Sequence, residues 1–425
     1  MIIKPMVRNN ICLNSHPQGC AEAVKQQIRY VHRTFAVAKS PGEQGSIALA
    51  GIPKLVLVIG CSTGYGLASR IAAGFGYGAA TVGISLEKSP SASKPGTPGY
   101  YNNRTFDTEA AKAGFVANTL NGDAYSDQIK AAAAEAIRAS AAAAGIPPQI
   151  DLIIYSLASP VRLDPCDGVL YRSVIKPIGQ AYTGKTVDMM SGRISLAQAE
   201  PATEAEIAHT IKVMGGEDWE RWICALDKAK LLAQGVRTVA YTYIGPELSW
   251  PIYKNGTIGR AKEDLERACK AINRYFAAAG LPKARGWISV NKALVTRASA
   301  VIPIIPFYVS CLFKVMKARG LHESCIAQIA RLYQERLYTP EAREDPYQVL
   351  VDPQGRIRMD DREMREDVQQ ETGALMEAVT AENVLEISDV AGFRHDFLEA
   401  HGFDVAGVDY AADTDPVAFS TSHPS

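Results

Sequence analysis

The spacing of apolar positions divides the chain into alternating helical and extended stretches. Residues 20 to 35 place Ala21, Val24, Ile28 and Val31 on one helical face, and 36 to 52, with Ser40-Pro41-Gly42 and Gln44-Gly45, read as an exposed loop. Lys54 to Gly60 is a short β-branched run of the kind buried on both faces, and a helix follows through Leu67, Ile71 and Ala72. Strands are expected at Thr81–Ser85, Phe115–Leu120 and Asp151–Ser156, with an alanine-rich helix over Ser126–Ala144 that opens on an N-cap serine and stops at Gly145. The texture then changes for about 80 residues that hold helical patterns at 203–213 and 217–233. Strand character returns at Arg237–Tyr243 and Trp287–Val290, with a helix from about 259 between them.

Strand and helix in alternation argue for a Rossmann-type α/β fold, a doubly wound parallel sheet with right-handed crossovers. The expected organisation is one compact unit over 1–425. Residues 54–160 and 236–300 form its dinucleotide-binding core, 161–235 an insertion shaping the substrate site, and 340–425 a helical extension with helices near 360–379 and 389–401. Val301 to Phe313 is the most apolar stretch, but it is too short to cross a membrane and contains Pro303 and Pro306, so a buried helix is expected.

Composition adds exclusions. The 45 basic and 45 acidic residues balance without a basic run, which argues against a nucleic-acid or membrane surface. Cys12, Cys20, Cys61, Cys166, Cys224, Cys269, Cys311 and Cys325 are scattered, without Cys-x-x-Cys or paired histidines at ligand spacing. They read as small core residues of a cytoplasmic protein, and no metal is expected. The amino terminus lacks the pattern of a secretory signal.

Chemistry gathers where strands end. The first strand runs into Gly60-Cys61-Ser62-Thr63-Gly64-Tyr65-Gly66, a glycine-spaced turn in which missing Cβ atoms let backbone and a helix amino end approach a pyrophosphate. Glu87 lies 21 positions past Gly66, where a carboxylate binds adenine-ribose hydroxyls and repels a 2′-phosphate, favouring NADH; Lys88 beside it softens that preference. Asp123 and Ala124 follow the third strand on the adenine side, and Leu157 and Ala158 follow the fourth on the nicotinamide side.

Tyr253 and Lys262 supply a phenol and an ammonium, the pair with which nicotinamide-dependent reductases stabilise an oxyanion or deliver a proton. On one straight helix nine steps of about 100° would face them apart. Asn255-Gly256 and Gly259 break the segment into a loop with Tyr253 and a helix from near Gly259 with Lys262 in its first turns. Tyr241 and Tyr243 share one strand face, and the strand end brings at least one of them near the nicotinamide.

With these residues in place, the chain resembles the trans-2-enoyl-CoA reductases and the FabV-type enoyl-acyl-carrier-protein reductases. The resemblance rests on the glycine turn, Tyr155-Ser-Leu-Ala-Ser-Pro160, Tyr241-Thr-Tyr-Ile-Gly245, the Tyr-x8-Lys interval and Val290-Asn-Lys-Ala-Leu-Val-Thr-Arg-Ala-Ser-Ala-Val-Ile-Pro303, and runs from Met1 to Tyr410. It implies Tyr253 as catalytic acid, Lys262 as the cofactor-ribose lysine and Tyr243 at the substrate carbonyl. It also implies an NADH lining of Gly60, Cys61, Ser62, Thr63, Gly64, Tyr65, Leu86, Glu87, Asp123, Ala124, Leu157, Ala158, Leu294, Val295 and Thr296. Cys61 stands where many members have Ala or Ser, and the 36–52 loop looks longer than the family's. The implied activity is NADH-dependent reduction of enoyl-CoA by a monomer, with enoyl-acyl-carrier protein as alternative substrate. No residues readable here form a flavin site, so flavin is not expected. A carbonyl-reducing short-chain dehydrogenase, which generally carries Tyr-x3-Lys, and a dinucleotide sensor without chemistry are the competing readings.

Overall fold

The computed structural model describes residues 1–418 except 9, 36–50, 189, 298, 301, 303 and 304. Among these, seven strands form one parallel sheet: β1 Leu55–Ile59, β2 Ala80–Ser85, β3 Ala117–Asn121, β4 Ile150–Tyr155, β5 Leu232–Thr242, β6 Arg285–Val290 and β7 Ile357–Arg358. Their order is β7-β6-β5-β4-β1-β2-β3, so the chain starts in the middle and winds outward both ways. The strand order reverses beside β1, which is where ligands enter such sheets.

Alternation along β1 builds two cores. Val56 and Val58 face helices α1 (Pro17–Thr34), α2 (Gly64–Ile71) and α3 (Pro98–Ala113), whereas Leu55, Leu57 and Ile59 face α4 (Asp127–Ala144), α6 (Glu217–Lys228) and α7 (Thr257–Ala278). The helix α5 (Glu204–Met214) opens with a full capping box, Thr203 to Glu206. A third core lies above the carboxyl ends of the strands, where α8 (Ile305–Ala318), α10 (Glu366–Ala378) and α11 (Val390–Glu399) pack around Tyr253 and residues 293–295.

Several expectations need correction. The third strand starts two residues later than its apolar pattern, because α3 ends on left-handed Gly114 and its turn uses Phe115. That helix, with Pro98 in its first turn and Gly114 as its cap, is absent from the hydropathy reading, as are α9 (Cys325–Leu332) and strand β7. The helix expected to 233 stops at Lys228: Lys230 takes φ +60°, and Leu232 already belongs to β5. The helix expected at 360–379 begins only at Glu366.

The 161–235 region also contains two hairpins, Val161–Leu163 with Leu170–Arg172 and Tyr182–Val187 with Ile194–Ala199. Val187 of the second packs under Phe307 and Cys311 of α8. The apolar stretch at 301–313 does enter a buried helix, with Tyr308, Val309, Leu312 and Phe313 fully covered. Residues 36–50 of the expected loop lie outside the described residues. All eight cysteines are free, but Cys166 is exposed and therefore not a core residue. No helix among the described residues is long and apolar enough to cross a membrane.

Candidate active site

Two of the three glycines after β1 are fixed by close backbone approach. Gly60 has φ +87°, and a Cβ there would sit 2.3 Å from the Ser156 carbonyl at the end of β4. A Cβ on Gly66 would lie 1.9 Å from the Gly60 carbonyl, so the turn closes only without side chains at both positions. Thr63 caps α2 in position but makes no side-chain bond to it, which leaves the first amides of the helix pointing outward. Leu294, Val295 and Thr296 close over this end: Thr296 Cγ2 would be 3.6 Å from a Cβ on Gly64, and all four residues line one cavity of about 350 Å³ with Thr63.

Helix α3 braces the cradle from behind. Asn102 donates to the Ser62 carbonyl at 2.9 Å, and Asn103 accepts from Cys61 Sγ and donates to Ser85 Oγ. Burial pushes the Cys61 thiol up to about 11, so it is a neutral space-filler. Tyr65 turns away from the cradle: its hydroxyl donates to the Lys292 carbonyl and to Gln328, and its ring leans on Tyr241. Only its backbone remains near the turn.

Glu87 leaves β2 with its carboxylate turned inward. Its Oε1 accepts from Ser62 Oγ at 2.6 Å and lies 3.7 Å from Arg297. Asn121 clamps both backbone groups of Glu87 (2.7 and 2.9 Å), tying the ends of β2 and β3. Leu86 is 71% exposed beside it. Asp123 accepts from the Tyr125 amide in the turn that opens α4, and the Ala124 carbonyl receives buried Lys130. Leu157 borders Gly60, whereas Ala158 is exposed.

Tyr253 sits in a turn just before α7, and its carbonyl accepts from the amides of Gly256 and Gly259. Gly259 is inside the helix rather than at its start; a Cβ there would lie 1.7 Å from the Lys254 carbonyl. Lys262, two turns into α7, reaches the Tyr241 carbonyl at 3.3 Å. Burial lowers the Lys262 ammonium to about 8 and pushes the Tyr253 phenol up. Among the described residues the Tyr253 hydroxyl makes no hydrogen bond.

Tyr243 meets Tyr253 edge to face, with ring centroids 5.0 Å apart, but its hydroxyl is engaged elsewhere. It donates to Glu363 Oε1 at 3.0 Å, as does Tyr308 at 2.7 Å, while Glu363 Oε2 accepts the Ala293 amide at 2.6 Å. Glu363 is completely buried; burial raises its carboxyl above the usual range and the Lys292 charge opposes that. Three donors converging on one carboxylate is an acceptor pattern that joins β5, the 291–296 segment and α8. Sequence reasoning missed Glu363, Tyr308, Asn102, Asn103 and Asn121. Only distance in the chain separates Glu363 from its partners, 120 residues in the case of Tyr243, and no local motif marks it.

Fold and site together define the class: an oxidoreductase built around a dinucleotide-binding sheet. Residues 94–338 match the model of the trans-2-enoyl-CoA reductase catalytic region, 2–92 that of the NAD(P)H binding domain of trans-2-enoyl-CoA reductase, and 351–414 that of the enoyl reductase FAD binding domain. The trans-2-enoyl-CoA reductase [NADH] of Treponema denticola is 53% identical over 98% of this chain and 99% of its own length. An enoyl-[acyl-carrier-protein] reductase [NADH] of Flavobacterium johnsoniae is 51% identical, covering 98% of each chain. The crystal structure of the Treponema enzyme in complex with NAD superposes with a TM-score of 0.89 over 98% of both chains. The chain belongs to the trans-2-enoyl-CoA reductase family.

Proposed function

We propose that the protein reduces the trans-2 double bond of enoyl-CoA thioesters with NADH, in fatty acid synthesis, with Tyr253 as oxyanion donor and proton source. The observation that carries this reading is the Tyr253 hydroxyl: a buried phenol without a partner among the described residues, in one core with the Leu294 and Val295 that close the cofactor cradle. NADH fits the cradle, since the turn closed by Gly60 and Gly66 leads straight into α2, whose first amides carry no side-chain cap and can receive a pyrophosphate. The 53% identical Treponema enzyme, whose crystal structure holds NAD, supports the same cofactor.

Bound NADH supplies a hydride to the β-carbon, so negative charge develops on the thioester oxygen. Because burial keeps the Tyr253 phenol protonated, it acts as donor to that oxygen rather than as base. Lys262 holds a positive charge near the cofactor ribose while protonated. Tyr243, its proton directed to Glu363, presents ring rather than hydroxyl to the substrate. In this reading Leu86, Glu87, Asp123 and Ala124 hold the adenosine, Leu157, Ala158 and Leu294 to Thr296 the rest of NADH, and 161–235 shapes the acyl site over the 54–160 and 236–300 core.

The flavin-domain description of 351–414 runs against the expectation that flavin is not used. Three carboxylates of that segment pair with protein: Asp352 with Arg356, Asp360 with Arg358, and Glu363 with its three donors. That donor set fits a structural cap better than a flavin, and no step passes through one. The 51% identical Flavobacterium protein favours acyl-carrier-protein substrates as the second reading. Turnover of crotonyl-CoA, longer enoyl-CoAs and enoyl-carrier protein, each with NADH and NADPH, separates these readings. Enoyl-CoA with NADH should be fastest, and equal turnover of a ketone would overturn the assignment. We read the enzyme as a cytoplasmic monomer, which light scattering of the purified protein checks.

A further inference from the structure

A second cavity of about 320 Å³ opens beside Glu87, between the amino-terminal hairpin and the 88–98 loop. Lys88, Lys94 and Arg297 line it together with Asn14, Thr97 and His401, and among the described residues no carboxylate does. Lys88 and Lys94 make no ion pair among the described residues, so both charges are available. Burial lowers His401 to about 4, leaving it neutral. Arg297 lines both this cavity and the cofactor cradle, and its guanidinium stands 3.7 Å from Glu87 Oε1. The other side of that oxygen abuts Gly99, where a Cβ would lie 2.2 Å away, next to the cavity residue Pro98. Glu87 thus stands at the edge of a basic cavity that an adenosine ribose in the cradle would border.

We propose that this cavity is a phosphate site for the 2′-phosphate of NADPH, closed by Glu87 alone. The carboxylate repels the phosphate and also holds Arg297, whereas Lys88 and Lys94 line the cavity without an ion pair among the described residues, beside a Thr97 hydroxyl that is hydrogen-bonded to the Lys88 backbone. The proposal rests on the reading of the glycine turn as the dinucleotide cradle. Its test is calorimetric and needs no turnover: binding of adenosine 2′,5′-bisphosphate and of 5′-AMP to wild type, to Glu87→Gln and to Glu87→Gln with Lys88→Ala and Lys94→Ala. Glutamine keeps an acceptor for Ser62 and removes the charge. The single variant should bind the bisphosphate about tenfold or more tighter than wild type does, while 5′-AMP, which loses the charged ribose acceptor, gains nothing, and the lysine changes should erase the gain. No gain in Glu87→Gln, or a gain that survives loss of both lysines, overturns the proposal. Inorganic phosphate bound as tightly as the bisphosphate would overturn it too, marking a free-anion site. NADH-dependent crotonyl-CoA reduction by the same wild-type preparation reports the reductase reading separately: its failure alongside intact 5′-AMP binding would fault the activity and not the cavity.

Discussion

The cofactor cradle and the acid side of the site are built in opposite ways. The cradle comes from one continuous stretch, β1, its glycine turn and α2, and needs little beyond bracing by α3. The acid side is assembled from Tyr243 after β5, Tyr253 before α7, Ala293 after β6, Tyr308 on α8 and Glu363 between β7 and α10. Its two adjacent tyrosines differ in one respect that bears on their chemistry: Glu363 accepts a hydrogen bond from Tyr243, and among the described residues nothing accepts one from Tyr253. A local motif can bind a dinucleotide, but a proton donor is defined by which neighbours leave it unengaged.

If the two regions are separable, substitutions should split binding from turnover. Tyr253→Phe should lower turnover about 100-fold or more while calorimetric NADH affinity stays within about threefold, because only the oxyanion donor is lost. Gly66→Ala should do the reverse: its Cβ meets the Gly60 carbonyl, so NADH affinity should drop about tenfold and stability by about 1–3 kcal/mol in urea titrations. Unchanged affinity in that variant would show that the turn is not the cradle.

These two predictions rest on what the sequence made legible. Gly60, Gly64 and Gly66 sit next to a strand and a helix with clear periods, and close approach ties Gly66 to Gly60 within the same stretch and Gly60 to Ser156 at the end of β4. The chain break between Tyr253 and Lys262 was legible: a turn holds Tyr253 and a helix holds Lys262, although Gly259 serves close packing inside α7 rather than the break. Glu363 was not legible, because a carboxylate in a charged stretch reads as solvated until the fold buries it. The helix end before Lys230 was misread for a related reason: Leu231 and Leu232 continue an apolar pattern through a residue whose positive φ no hydropathy signal reveals.

Glu363→Gln sharpens the comparison with a smaller effect. The amide retains an acceptor but puts a donor toward the tyrosines or the Ala293 amide, so kcat should fall about tenfold with NADH affinity kept. Tyr243→Phe added to it should cost little more, since the two act as one unit; additive losses in steady-state kinetics would refute that coupling. The mildest prediction concerns pH. Burial lowers Lys262 to about 8, and its charged form is the working one, so kcat/KM should be level below pH 8 and fall as pH rises through that value. In Lys262→Arg the alkaline fall should move beyond about pH 10, because a guanidinium stays charged. An alkaline limb that stays in place would assign it to another group.

In the proposed reaction hydride and proton come from the two regions separately, with no carrier between cofactor and substrate. NADH carrying deuterium in place of both hydrogens at C4, reacted with crotonyl-CoA in ordinary water, tests it directly by mass and NMR analysis of the product. One deuterium at the β-carbon and a solvent-derived hydrogen at the α-carbon is the predicted result. Deuterium at the α-carbon, or its loss to solvent through an exchangeable carrier such as reduced flavin, would contradict the account.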